Sequence, residues 1–104
     1  MTVSNLPTVA ADDSAGKTGL WWLYLLECRD GRTYTGISRD VAARFAVHVR
    51  GKGSKFTRAN TPVAVLGQLA FATKSAALKA EHALKQLSRE QKLAWARDRQ
   101  REGQ

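Results

Sequence analysis

The side chains of this sequence able to work together on a bond are few and widely spaced. Two phenols, Tyr24 and Tyr34, lie in adjoining runs of β-branched, aromatic and aliphatic residues; Arg44 and His48 stand four apart; Glu81 sits among alanines and leucines. Phenol and imidazole can carry protons, and a guanidinium can fork onto an oxyanion. Taken singly, each has a plainer explanation. Tyrosine is a common strand residue, Glu81 can pair with Lys85 four residues on, Arg44 can snorkel, and His48 can be a satisfied, half-buried histidine. The conjunction carries the weight: two phenols on one sheet face, Arg and His along one helix edge, and an inward carboxylate.

That conjunction depends on a hairpin over residues 20–38, LWWLYLLECRDGRTYTGIS, whose two runs meet at Asp30-Gly31. This is the strongest short-range hairpin signal a sequence offers. A two-residue loop would pair Arg29 with Arg32 and place Tyr34 opposite Glu27, sending the phenols to opposite faces. A three-residue loop puts Arg29 and Asp30 in right-handed conformations and Gly31 in the left-handed one. It pairs Cys28 with Arg32, Leu26 with Tyr34 and Tyr24 with Gly36. Both phenols then share a face, and Gly36 leaves room for the Tyr24 ring. The three-residue loop is the expectation.

Downstream, Ser38 or Asp40 can cap a helix over residues 41–50 that Gly51 ends. Val41, Phe45 and Val49 make its buried stripe, with Arg44 and His48 along one edge. Residues 51–62, GKGSKFTRANTP, read as a basic loop, and residues 63–72 as a third strand in which Gly67 weakens the pairing or marks a bulge. A helix over residues 75–87 turns Ala77, Ala80, Leu84 and Leu87 inward, with Glu81 beside them, an unusual place for a carboxylate. Ser88 to Gln91 has capping-box spacing and opens a last helix through about residue 99. The order β-β-α-β-α plus a C-terminal helix predicts an α+β fold on a small, three-stranded, largely antiparallel sheet. Residues 1–19 read as a disordered leader and residues 20–100 as one domain.

The balance of 17 Lys and Arg against 9 Asp and Glu, net +8, favours a polyanionic partner. Arg39, Arg44, Arg50, Lys52, Lys55 and Arg58 fall together against one acid, Asp40. Ser54, Thr57 and the glycine amides of that loop suit phosphate oxygens. Arg39, Lys52, Lys55, Thr57 and Arg58 are therefore the candidate nucleic-acid contacts. The spacing of a Walker P-loop is absent. The single cysteine, Cys28, excludes an internal disulfide and a multi-cysteine zinc site, and reads as a buried, inert thiol. No run approaches a membrane span, the terminal helix has too little apolar face for a membrane surface, and no signal peptide is evident, so the cytoplasm is the expected compartment. No protein partner is evident.

At these residues the chain resembles the GIY-YIG nuclease superfamily. Trp22-Leu23-Tyr24 matches the first motif strand and Tyr34-Thr35-Gly36 the second. The family's helix arginine falls on Arg44, the Tyr or His four later on His48, and the metal-binding glutamate on Glu81. The pattern LYLLEC…YTGIS…AR…H…GKGSKFTR…P…SAALKAEHALK is most similar to stand-alone bacterial proteins of the UPF0213 type. It also resembles the nuclease domain of the structure-specific subunit of eukaryotic repair nucleases. Trp22-Leu23 replaces the usual Gly-Ile, the asparagine that follows the glutamate in some branches has no clear equivalent, and no separate DNA-recognition domain or zinc module is present.

The resemblance implies a Mg²⁺- or Mn²⁺-dependent DNA endonuclease acting on branched or nicked substrates in repair or recombination. Tyr24, Tyr34, Arg44, His48 and Glu81 would be catalytic. Glu81 would hold one metal ion, Arg44 would grip the scissile phosphate, and a phenol would orient or deprotonate the water. His48 would contact the phosphate or assist a phenol. One carboxylate ligand argues against a two-metal clamp. The alternative is a non-catalytic nucleic-acid-binding module on the same fold.

Overall fold

The computed structural model describes residues 19–102. The leader expected over residues 1–19 thus lies, apart from Gly19, outside the described residues.

The hairpin closes on three residues. Gly31 has φ +90°, its N–H donates to the Cys28 carbonyl at 2.9 Å, and the Cys28 N–H donates to the Arg32 carbonyl at 2.8 Å. The left-handed backbone at Gly31 is what glycine permits at little cost. Strand β1 (Trp21–Cys28) and strand β2 (Thr33–Ser38) therefore pair with Leu26 opposite Tyr34 and Tyr24 opposite Gly36. Opposed residues share a face, so both phenols point to the same side.

Helix α1 (Val41–Val49) follows, then a short helix α2 (Lys55–Ala59), strand β3 (Pro62–Phe71), helix α3 (Lys74–Lys85) and helix α4 (Arg89–Glu102). The sheet is antiparallel with order β2-β1-β3, so β1 is covered on both edges. Accordingly Leu23, Tyr24, Leu25 and Leu26 are buried without a break. The result is the α+β arrangement expected, with α2 added. No helix among the described residues is long and apolar enough to cross a membrane.

Two expectations need correcting. Residues 51–62 are not wholly loop, because Ser54 caps α2 in a reciprocal box with Thr57. The α1 stripe is also rotated. Val49 is exposed, whereas His48 is fully buried beside Val41. With hydrogen-bond partners at both ring nitrogens, His48 behaves as a core residue and displaces the valine.

The other side of the sheet is closed by α4. Gly67, opposite Leu25, lies so near Ala96 that a Cβ there would sit 2.9 Å from the Ala96 Cα. The register shifts between Leu25 and Leu26, next to Gly67, which is the bulge that glycine suggested. Ser88 and Gln91 form the expected cap for α4, and Arg89 donates twice to the Gly31 carbonyl, at 2.9 and 3.1 Å. Cys28 is buried, which pushes its thiol up, as an inert thiol requires.

Candidate active site

Tyr24 and Tyr34 enter the site from neighbouring strands, together with Leu26, Val41, Trp22 and Phe45 in one apolar cluster. Gly36 makes room for Tyr24: a Cβ there would lie 2.5 Å from the phenol oxygen. Tyr24 is buried, and that burial, followed by the nearby Tyr34 phenol, pushes its pKa up to about 12 against the counter-pull of Arg44. Tyr34 is half-buried, 5.0 Å from the His48 ring and stacked on Phe56 at 6.0 Å.

His48 is the hub. Its Nε2 is 3.1 Å from the Tyr24 hydroxyl, and its Nδ1 is 2.8 Å from the Thr57 hydroxyl. Burial, then the positive charge of Arg44, lowers its pKa, so the imidazole is neutral at pH 7. Gly53 packs against it so closely that any side chain there would overlap Nδ1. The Gly53 carbonyl accepts from the Arg44 guanidinium at 3.3 Å, which turns Arg44 toward the same place. One short segment, Gly53 to Thr57, thus positions both functional side chains of α1.

Glu81 comes from α3. Its side chain is 18% exposed and pairs with Lys85 at 3.4 Å, and its negative charge reaches Tyr24 strongly enough to oppose ionisation there. The predicted partner of Glu81 is therefore present, and the Glu81 charge is the least of the influences on the Tyr24 phenol. No cluster of three or more His, Cys, Asp or Glu side chains exists among the described residues. A single hard carboxylate oxygen suits an ion that keeps most of its water, as Mg²⁺ does. On donor chemistry Glu81 fits such an ion.

The predicted nucleic-acid contacts divide. Arg39, Lys52, Lys55 and Arg58 are exposed. Thr57 is not: it is buried, with its hydroxyl engaged by His48 and by the Ser54 backbone N–H at 3.1 Å. Its side chain supports the imidazole and does not face a strand of nucleic acid. The burial of His48 likewise excludes direct contact with a phosphate and leaves the phenol as its partner. Ser54 and the glycine amides of this loop read in the sequence as groups for phosphate oxygens; that Gly53 and Ser54 position His48, Arg44 and Thr57 was missed. The available signal was the Ser-x-x-Thr spacing of a helix cap.

The GIY-YIG catalytic domain model matches residues 20–94, which takes in every one of these side chains. The chain belongs to the GIY-YIG family. GIY-YIG domains form a nuclease superfamily. The domain here is 60% identical over 75 residues to the UPF0213 protein of Cupriavidus pinatubonensis, covering 72% of this chain and 83% of that protein. It is 46% identical to the UPF0213 protein of Streptococcus sanguinis over 75% of this chain and 90% of that one. Among solved structures, the solution NMR structure of the UPF0213 protein BH0048 from Bacillus halodurans is 41% identical, with 70% of this chain and 78% of that chain covered and a TM-score of 0.44.

Proposed function

We propose that this GIY-YIG domain is a divalent-metal-dependent endonuclease that hydrolyses DNA phosphodiester bonds in the cytoplasm. Branched and nicked DNA, of the kind that arises in repair and recombination, is its target. The observation that carries this reading is the cluster of Tyr24, His48 and Arg44 on one side of the sheet, with the Glu81 charge acting on the same phenol.

Each residue then has a task. Glu81 holds one Mg²⁺ or Mn²⁺, with water and phosphate oxygen completing the shell. Bound there, the ion supplies Lewis-acid polarisation of the phosphoryl group. Arg44, held by the Gly53 carbonyl, presents its remaining N–H groups to the phosphate and neutralises charge that builds on it. Tyr34, the phenol with more exposure, orients the attacking water. Tyr24, deeply buried and resistant to ionisation, keeps its proton, and its hydrogen bond to His48 holds the phenol in place beside Arg44. Arg39, Lys52, Lys55 and Arg58 hold the strand by its phosphates.

One observation favours a second reading, binding without cleavage: Lys85 already neutralises Glu81. Nicking of supercoiled and branched DNA separates the two. The wild type should cut only with Mg²⁺ or Mn²⁺, and Glu81→Ala and Arg44→Ala should fall by about a hundredfold or more, the scale of losing one charge-stabilising group. Equal product from wild type and both variants removes catalysis. Binding that Glu81→Ala leaves intact or improves would then identify a binding module.

A further inference from the structure

We propose that Phe56 is a positioning residue for the reaction: its ring holds the Tyr34 phenol against His48 and so sets where that hydroxyl meets the attacking water. The inference rests on the task given to Tyr34 under the nuclease reading. Its geometric basis is a row of three rings. The Tyr34 centroid lies 5.0 Å from that of His48 and 6.0 Å from that of Phe56, the latter with ring planes 22° apart. Tyr24 is held through its hydroxyl, by His48 at 3.1 Å, whereas Tyr34 is held through its ring. Phe56 comes from α2, and the next residue, Thr57, engages Nδ1 of His48 at 2.8 Å. Two consecutive side chains thus secure two members of the site, threonine the imidazole and phenylalanine the phenol.

Phe56 is itself kept in place by a closed circuit at the hairpin tip. Asn60, the C-cap of α2, donates its backbone N–H to the Phe56 carbonyl at 3.0 Å and its side-chain amide to the Asp30 carboxylate at 2.6 Å. That carboxylate also accepts from Nε of Arg32 at 2.7 Å. The Arg32 guanidinium carbon in turn lies 5.1 Å from the Phe56 centroid, so the circuit returns to the residue it left. Arg32 and Tyr34 stand two apart, and strand alternation puts both on the phenol side of the sheet. Phe56 is only half-buried, so its ring and cation contacts, more than enclosure, decide where it lies.

The competing task for an aromatic ring in a basic segment is to stack a nucleobase. The contact with Tyr34 favours positioning, because one face of the Phe56 ring is already covered. The two tasks differ in where they act. Stacking a base adds affinity for DNA, whereas aiming a hydroxyl at water adds rate once DNA is bound.

Single-turnover nicking by the full chain measures the two separately, as maximal rate and as the protein concentration at half-maximal rate. Phe56→Leu should lower the maximal rate about three- to tenfold, the rate equivalent of one aromatic pair, and leave half-saturation unchanged. Phe56→Tyr, which keeps the ring, should restore the rate. In a Tyr34→Phe background Phe56→Leu should cost nothing more, because the hydroxyl it positions is gone. Should Phe56→Leu fold poorly, Arg32→Gln at an exposed position gives an independent reading: a loss in maximal rate of about two- to fivefold, again absent in Tyr34→Phe. A further readout needs no cleavage. The NOE between the Tyr34 and His48 rings should weaken in Phe56→Leu, while that between Tyr24 and His48 persists. A loss confined to half-saturation, a loss that multiplies fully with that of Tyr34→Phe, or a Tyr34–His48 NOE that survives Phe56→Leu overturns the proposal. If the parent cuts no DNA the nuclease reading falls, and the NOE alone decides whether Phe56 positions the phenol.

Discussion

The Tyr24 hydroxyl lies 3.1 Å from Nε2 of His48, and neither side chain reaches solvent to any useful degree. Thr57 completes the line at 2.8 Å from Nδ1. A neutral imidazole donates from one nitrogen and accepts at the other, so the three groups form a directed chain. Adding a proton to His48 would place a charge in the core beside Arg44. The phenol, the imidazole and the threonine are thus one unit, and perturbing any of them reaches the other two.

Acid should loosen the fold through His48. Its folded pKa lies below the ordinary 6.5 of the unfolded chain because of burial, then Arg44. Below 6.5 the unfolded chain takes up a proton that the folded state resists, so stability is full above that pH and falls as pH drops toward the folded value. Urea midpoints measured across this range should decline on acidification, and His48→Gln should flatten that slope. At the other end, Tyr24 resists ionisation up to about 12 while the unfolded chain ionises near its model value of 10.0. Stability should fall again between those two values.

Thr57→Val removes one hydroxyl at nearly constant shape. It leaves Nδ1 of a buried imidazole without its partner, at a cost of about 1–3 kcal/mol in urea denaturation. Thr57→Ser should restore most of that. In the nicking assay Thr57→Val should be impaired at every salt concentration, because it acts on His48. Loss of a surface phosphate contact would instead flatten the salt dependence of binding, so that its deficit shrinks as salt rises.

Gly36→Ala should strike the phenol directly. The new methyl would lie 2.5 Å from the Tyr24 oxygen and 2.6 Å from the ring carbon that bears it. Overpacking of this kind costs about 1–3 kcal/mol, and the ring must leave His48 to relieve it. Thermal denaturation should show the destabilisation, and cleavage per folded molecule should fall at least as far as in Tyr24→Phe.

Gly67→Val probes the opposite side of the sheet. A side chain there collides with the backbone of Ala96, which a flexible neighbour cannot relieve. Stability should drop by about 1–3 kcal/mol as α4 is pushed off β3. Cleavage per folded molecule should stay at the parent level, which distinguishes support of the fold from support of the chemistry.

The hairpin was the most legible part of the fold. Asp30-Gly31 offers two registers, and only the three-residue loop puts Gly36 under the Tyr24 ring, so one small residue resolved both turn and face. Arg44 and Glu81 could be placed on their helices by periodicity, and the pairing of Glu81 with Lys85 follows from their four-residue spacing. What periodicity misjudged was polarity. Val49 was assigned to the core because it is apolar and His48 to the edge because it is polar. The satisfaction of both ring nitrogens, which depends on Tyr24 and Thr57 from other elements, reverses that order. Helix α2 went unread for a related reason. Five residues are too few for a period to emerge, and its cap uses threonine where glutamate or glutamine is the familiar partner. The packing of Arg39 and Lys74 against the Trp21 ring was invisible because it joins residues 21, 39 and 74 only after the strands have paired.

The hairpin tip is clasped from two directions. Asn60 donates to the Asp30 carboxylate at 2.6 Å on one side, and Arg89 grips the Gly31 carbonyl on the other. The rigidity of the two phenols is therefore partly on loan from the final helix, which touches no reacting group. Shortening the protein just ahead of that arginine would keep every proposed catalytic side chain, yet free the bend from which two of them hang.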